Sequence, residues 1–297
     1  MSGKGSLEQL YGYPPFSVLD GRTAKWQARK KAWRALGLMG EVGRDNVRKT
    51  MTTLPNVSGD SPWLDSSPFD PVLTEVFYNW FCPPGGVILD PFAGGPVRGV
   101  VASLMGRRYV GIDVRAEQVL ANKAQAAGLC GRNDTPPEWR TGDSAKLRQI
   151  TRKRADFLFS CPPYHSLERY SSQPDDLSCM PWEVFLGAYR HIIKQSCRLL
   201  RDNRFAAFVV GDVRDKRGNY RGFPAETIRA FKDAGLELYN EAALVTAVGT
   251  LALRAHGNFK TRKLGKSHQN VLVFVKGDPA AAAKATAPGP LIDLEAI

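Results

Sequence analysis

Val87-Ile88-Leu89-Asp90-Pro91-Phe92-Ala93-Gly94-Gly95 decides the fold: a short apolar run breaks at Asp-Pro and enters a glycine turn ahead of Pro96-Val97. A short apolar run bounded by turn residues reads as a strand buried on both faces. Proline just after the turn reads as the start of a helix. Strand, glycine turn and helix in this order let backbone N–H groups come close to a nucleotide-like ligand. The stretch Phe157-Leu158-Phe159-Ser160-Cys161-Pro162-Pro163-Tyr164 repeats the strand ending, now with a rigid Pro-Pro-aromatic edge. Open α/β sheets bind their ligands at the carboxyl ends of such strands.

Working outward from Val87, strand and helix signals alternate. The pattern predicts strands at 87–90, 109–112, 155–160, 205–211, 241–247 and 270–275, and helices at 96–105, 116–126, 182–200 and 224–234. Strands separated by helix-length segments mean a parallel sheet with helical crossovers. The last two strands lie close, with a basic loop between them, and are expected to pair as an antiparallel hairpin. Tyr109-Val110-Gly111-Ile112 ends in Asp113, 23 residues beyond Asp90. At that spacing a second strand presents a carboxylate to ribose hydroxyls. Thr141-Gly142-Asp143-Ser144 occupies the next strand end. A dinucleotide would ask for a fuller Gly-x-Gly-x-x-Gly turn, which is missing.

The two quoted stretches together resemble motifs I and IV of the S-adenosylmethionine-dependent amino-methyltransferases that modify adenine N6 or cytosine N4 in DNA. The resemblance covers roughly Ser61 to Lys276 and is similar in layout to phage and mobile-element members. It implies an α/β fold of the class I methyltransferase (Rossmann-like) type, a mostly parallel sheet with a terminal antiparallel hairpin. It implies S-adenosylmethionine as cofactor, held by Asp90, Phe92, Ala93, Gly94, Gly95, Asp113, Asp143 and Ser144, with Asp143 near the adenine. It places catalysis on Cys161, Pro162, Pro163 and Tyr164, with Tyr164 stacking on an extruded base and the Pro162 carbonyl accepting from its amino group. Ser66-Ser67-Pro68-Phe69-Asp70 resembles the segment that closes over methionine in circularly arranged members. Lys266-Ser267-His268-Gln269-Asn270 resembles the basic-polar segment before the last strand, with His268 and Gln269 facing the target pocket. Glu168 and Tyr170 are placed in the loop over the flipped base.

Cys161 departs from the family pattern, which has Asn, Asp or Ser there. A thiol is a much weaker acceptor than an amide or carboxylate oxygen. Amino transfer would then rest on the Pro162 carbonyl, helped by Ser160. Cytosine C5 methylation also uses a cysteine beside proline, with a thiolate adding to C6 and an acid engaging N3, and Asp212 in Val210-Gly211-Asp212-Val213-Arg214 is the candidate acid. An RNA substrate and a catalytically inactive nucleic-acid-binding protein are the further alternatives.

The charge points to a polyanionic partner. Of a formal net charge of +12, residues 1–57 hold ten basic against four acidic residues, and residues 251–276 hold six basic and no acidic residues. Two basic patches on a neutral remainder suit phosphate contacts and counterion release. Lys25, Arg29 and Lys30 on a helix at 23–38, Arg214, and Lys260, Arg262, Lys263, Lys266 and His268 are the candidate nucleic-acid contacts. Trp26 and Trp33 on that helix are expected to dock it on the core. Double-stranded DNA is the expected partner, read by this helix and by loops at 214–223 and 248–266, with the protein a monomer or homodimer.

The organisation expected is a basic N-terminal arm and helix (1–57), a methyltransferase domain (58–278), and a disordered Ala/Pro-rich tail (279–297), with residues 1–21 largely irregular and 41–60 a linker. Five cysteines without a C-x-x-C pair and four scattered histidines argue against a disulfide frame and against a metal site. No apolar run is long enough to span a bilayer and no signal-peptide core is present, so a cytoplasmic protein of a bacterial or phage-infected cell is expected.

Overall fold

Successive residues of β3 (Val87–Asp90) point to opposite faces of a sheet, and both faces are covered. Ile88 joins an apolar cluster with Trp33, Phe77, Val100 and Phe159, while Val87 and Leu89 join a second cluster with Phe185, Tyr189, Phe208 and Phe274. The helices therefore lie in two layers around one sheet, as the continuous apolar strands require.

The computed structural model describes residues 6–40, 42, 48–49, 69–131, 135–165, 168–169, 177–249 and 251–297. Most of the 41–60 segment, the Ser66-Ser67-Pro68 stretch and Tyr170 lie outside the described residues. The remaining strands are β1 (Val18–Asp20), β2 (Arg48–Lys49), β4 (Arg108–Asp113), β5 (Glu138–Thr141), β6 (Ala155–Ser160), β7 (Glu168–Arg169), β8 (Leu200–Val210), β9 (Glu237–Val245) and β10 (His268–Lys276). The helices are α1 (Leu7–Tyr11), α2 (Ala24–Ala35), α3 (Pro71–Phe81), α4 (Val97–Leu104), α5 (Ala116–Cys130), α6 (Leu147–Ile150), α7 (Trp182–Leu199), α8 (Phe223–Asp233), α9 (Leu251–Lys260) and α10 (Pro279–Lys284).

Among the described residues the main sheet runs β1-β9-β10-β8-β6-β3-β4-β5. Every pairing in it is parallel except those of β10 with β8 and β9. This is the Rossmann-like class I methyltransferase sheet with its antiparallel hairpin. The chain reverses its direction of travel across the sheet between β3 and β6, which opens a crevice at their carboxyl ends. A separate two-residue antiparallel pairing joins β2 to β7, with the backbone of Lys49 in register with that of Glu168.

Three segments are more ordered than their composition indicates. In the N-terminal arm, α1 carries a capping box in which Ser6 and Gln9 exchange hydrogen bonds, and β1 adds parallel to β9. The loop between β9 and β10 contains α9. The tail from Pro279, expected to be disordered, forms α10 capped by Asp278, and Leu294 is buried while Leu291 and Ile292 pack on the core. Alanine is the best helix former, so the Ala280–Ala283 run is a helix signal once a cap precedes it.

Helix α2 is fastened to the core by Trp26 and Trp33, both fully buried. Each indole removes about 150–250 Å² from water. Its charges are fastened as well. Arg29 lies against the fully buried carboxylate of Glu75, with Nε donating to Oε2 at 2.9 Å, and it also donates to the Ile292 carbonyl. Trp33 Nε1 donates to the same Oε2 at 3.0 Å. Lys30 pairs with Asp70 at 2.9 Å and Lys25 pairs with Glu8.

Candidate functional site

Asp90 ends β3 and is the hub of a buried network. Its Oδ1 accepts from the Phe92 amide at 3.2 Å and the Ser160 hydroxyl at 2.5 Å. Its Oδ2 accepts from Arg98 Nε at 2.5 Å and the Tyr109 hydroxyl at 2.7 Å. Arg98, in the first turn of α4, also donates to the Phe92 and Ala93 carbonyls at 2.8 and 2.9 Å and lies over the Phe69 ring at 4.3 Å. The network thus ties the glycine turn to β4 and to the end of β6. An arginine three residues past a glycine pair, inside an otherwise apolar helix, was the available signal for it. Asp90 itself is fully buried and does not line the cavity described below.

The turn after β3 is shaped by two glycines. Gly94 adopts φ 52°, in the left-handed region that side chains disfavour, and its N–H donates to Asp113 Oδ2 at 2.9 Å. At Gly111 on β4 an added Cβ would lie 2.9 Å from the Ala93 Cβ and closer still to the Tyr109 ring, so only glycine lets the turn pack on β4. Asp113 Oδ1 accepts from the Arg115 amide at 2.9 Å. Burial pushes the Asp113 carboxyl up to about 6, against the two backbone N–H groups and the Arg115 charge that favour its ionised form.

These strand ends open into one continuous cavity of about 740 Å³, within the range of small-molecule sites. One end is lined by Phe92, Gly94, Asp113, Val114, Asp143 and Ser144. Asp143 Oδ1 caps the turn after β5 by accepting from the Ala145 amide at 2.8 Å, and its Oδ2 takes no hydrogen bond among the described residues. The Ser144 hydroxyl donates to the Pro91 carbonyl at 2.7 Å, which leaves it a structural role.

The other end is lined by Cys161, Pro162, Pro163 and Tyr164 after β6, and by Lys266, His268 and Gln269 at the start of β10. Tyr164 is oriented from several sides. Its hydroxyl receives a hydrogen bond from Gln269 Nε2 at 2.8 Å, lies 3.4 Å from Cys161 Sγ and is 3.5 Å from the Val209 carbonyl. Its ring meets Phe223 edge-on at 6.5 Å. His165 follows with φ 50°, unusual for a side-chain-bearing residue, and is held by Nε2 at 2.9 Å from the Met180 carbonyl and by edge contacts with Trp182 and Phe185. Burial lowers its pKa below the ordinary value. Lys266 donates to Asn270 Oδ1 at 2.9 Å, and burial lowers its pKa, opposed by the charges of Asp212 and Glu241.

Several expected roles do not fit these positions. Ser160 is fully buried with its hydroxyl turned to Asp90, so it offers nothing to the cavity. Asp212 does not line the cavity, and its Oδ1 accepts from the Val213 and Phe223 amides at 2.9 and 3.1 Å, securing the start of α8. Arg29, half-buried, is engaged with the buried carboxylate of Glu75, which would be costly to leave uncompensated. Lys25 and Lys30 carry acidic partners, Lys30 on the cavity wall. Arg214 and Arg262 are exposed and lie over the Tyr220 and Phe259 rings, and Lys263 lies against Gly218, which joins the 214–222 and 261–266 loops. Phe69 and Asp70 line the cavity, and Asp70 caps α3 by accepting from the Val72 and Leu73 amides. Of Glu168 only its backbone place in β7 is described.

No family model matches the chain, and no curated protein matches it. Solved structures do. TrmN from Thermus thermophilus is 16% identical over 70% of this chain and 49% of its own, with a TM-score of 0.47. The CcbJ methyltransferase from Streptomyces caelestis is 15% identical over 75% of this chain and 94% of its own, at 0.48. Magnesium protoporphyrin IX methyltransferase from Synechocystis, solved with bound SAM, is 14% identical over 70% of this chain and 76% of its own, at 0.44. The chain spans about half the length of TrmN. At these identities and scores the likeness assigns neither substrate nor site residue.

Proposed function

We propose that this chain is an S-adenosylmethionine-dependent methyltransferase acting on an exocyclic amino group, N6 of adenine or N4 of cytosine, of a base extruded from DNA. One observation carries the reading: the carboxylates after β4 and β5 share a single cavity with the Pro-Pro-Tyr edge after β6.

The donor set at the first end suits a nucleoside. Each Asp113 oxygen keeps a lone pair beyond its backbone partner for a ribose hydroxyl, and Asp143 Oδ2 is available to an adenine amino group. Phe92 and Val114 offer apolar surface to a purine. When bound, the cofactor supplies an activated methyl group on a sulfonium. At the second end, Pro162 and Pro163 carry no N–H, and their carbonyls are acceptors. Tyr164, held from several directions, is the platform on which a base stacks, offsetting part of the unpairing cost. Paired cations in α2 shift the phosphate contacts to the exposed basic residues of the 214–222 and 261–266 loops.

C5 transfer is less well supported, because Asp212, its candidate acid, is turned to the start of α8 and lies off the cavity lining. Cys161→Ala separates the two: C5 transfer requires the thiolate and stops, whereas amino transfer continues. The reading is tested by incubating the protein and S-adenosylmethionine with mixed-sequence duplex DNA and, in parallel, RNA, then digesting to nucleosides for mass spectrometry. N6-methyladenine or N4-methylcytosine from DNA supports it. 5-Methylcytosine, or product from RNA alone, refutes it.

The Asp113 carboxyl adds a pH signature. Above about 6 it is ionised and accepts from ribose; below, it is protonated and a poorer acceptor. Cofactor affinity is expected to fall as pH drops through 6, measured by titration calorimetry. Folding stability changes in the opposite sense: with the folded value above the ordinary 3.8, this group's contribution improves as pH falls from 6 towards 4.

A further inference from the structure

Amino transfer needs, beside the Pro162 carbonyl, a side-chain acceptor that Cys161 does not provide, and the neighbouring side chains do not replace it. The Ser160 hydroxyl is spent on Asp90, and Asp212 secures α8. Gln269 lines the same end of the cavity from the start of β10. Its backbone is fixed in register opposite Leu244 of β9. Its Nε2 donates to the Tyr164 hydroxyl at 2.8 Å, and that hydroxyl lies 3.4 Å from Cys161 Sγ. The amide is thereby oriented with its nitrogen on the tyrosine, and Oε1 takes no hydrogen bond among the described residues.

We propose that Gln269 Oε1 is the side-chain acceptor for the target amino group, standing in for the oxygen that position 161 lacks. The proposal rests on the amino-transfer reading above. The side-chain amide is a recurring partner of the adenine amino edge, since its oxygen accepts from N6–H. A base stacked on the Tyr164 ring comes to rest beside an amide that the same tyrosine orients. Accepting from one N–H concentrates the lone pair on the amino nitrogen. That lone pair forms the new N–C bond as the methyl–sulfur bond breaks, and the electrons of the broken bond stay on sulfur. The surplus proton leaves the nitrogen for water. Gln269 changes neither its charge nor its proton count.

The test compares wild type, Gln269→Met and Gln269→Glu. Met keeps the length and removes the acceptor; Glu keeps an oxygen. Gln269 is only partly buried at a strand end, so all three are expected to fold, which thermal unfolding checks. The first readout is the rate of methyl transfer to duplex DNA. The second needs no cofactor: the affinity for single-stranded oligonucleotides with their natural bases against the same oligonucleotides in which purine and pyrimidin-2-one replace adenine and cytosine. The Met variant is expected to transfer ~10²-fold more slowly, as when one preorganised polar contact to the reacting group is removed. It is also expected to lose a preference of about tenfold for the amino-bearing strand, while Glu retains most of both. A Met variant with wild-type rate overturns the proposal. So does one that slows but keeps the preference, which would reduce Gln269 to a support for Tyr164. Absence of any transfer by wild type refutes the amino-transfer reading instead, and the affinity ratio then still reports on Gln269.

Discussion

Replacing Arg98 by methionine is expected to lower folding stability by about 3–5 kcal/mol, the cost of removing one partner from a buried ion pair. The loss is that large because Asp90 is fully buried and cannot regain water when the guanidinium goes. Tyr109, Ser160 and the Phe92 amide would still donate to it, but none brings a positive charge. The same substitution frees the Phe92 and Ala93 carbonyls, so the glycine turn loosens together with the core. Urea denaturation measures the first effect and cofactor titration the second. With domain stabilities commonly about 5–15 kcal/mol, the variant would be marginal at 37 °C. A variant with unchanged midpoint would contradict a stabilising ion pair between Arg98 and Asp90.

Asp113→Ala is expected to weaken S-adenosylmethionine binding by ~10²–10⁴-fold. Two hydrogen bonds from ribose hydroxyls to an ionised acceptor contribute about 1.5–3 kcal/mol each. The substitution also leaves the Gly94 and Arg115 amides without their carboxylate partner, so part of the loss comes from a less ordered turn. Asp113→Asn separates the two contributions, because an amide oxygen still accepts one of these bonds while the charge is gone. Its affinity should also lose the dependence on pH near 6. Calorimetric titration across pH checks both. Wild-type affinity in Asp113→Ala would place the ribose elsewhere.

The strands were legible because they are buried on both faces. Val87–Asp90 and Ala155–Ser160 begin and end where the apolar runs do. The spacing from Asp90 to Asp113 located the second carboxylate, because one helical crossover fixes how far apart successive strand ends fall. Pairings across the chain were not legible. Nothing local distinguishes Arg29, whose partner Glu75 lies on another helix, from Arg214, which stays exposed. A basic helix therefore read as a phosphate contact, although its Lys25, Arg29 and Lys30 each pair with an acid, on α1, on α3 and at the cap of α3. Strand β1 escaped notice because three residues with a single buried side chain, Leu19, carry no periodicity. Helix α9 was missed since Gly257 and Asn258 interrupt its pattern and its face towards solvent is partly apolar. Asp90 shows the limit of a motif reading: its position is as expected at the strand end, yet its oxygens are engaged in holding the turn and it does not line the cavity. In the same way Ser160 and Cys161 are adjacent in sequence, and only the three-dimensional arrangement tells which one faces the cavity.

Hydrogen–deuterium exchange with and without saturating S-adenosylmethionine tests the central claim most directly, that one cavity holds the cofactor at the ends of β3, β4 and β5 beside the Pro-Pro-Tyr edge. Protection is expected in the peptides spanning 90–95, 113–118 and 143–147, with a smaller effect at 161–165. Binding without protection at these four places, or no binding by the folded protein, would contradict it.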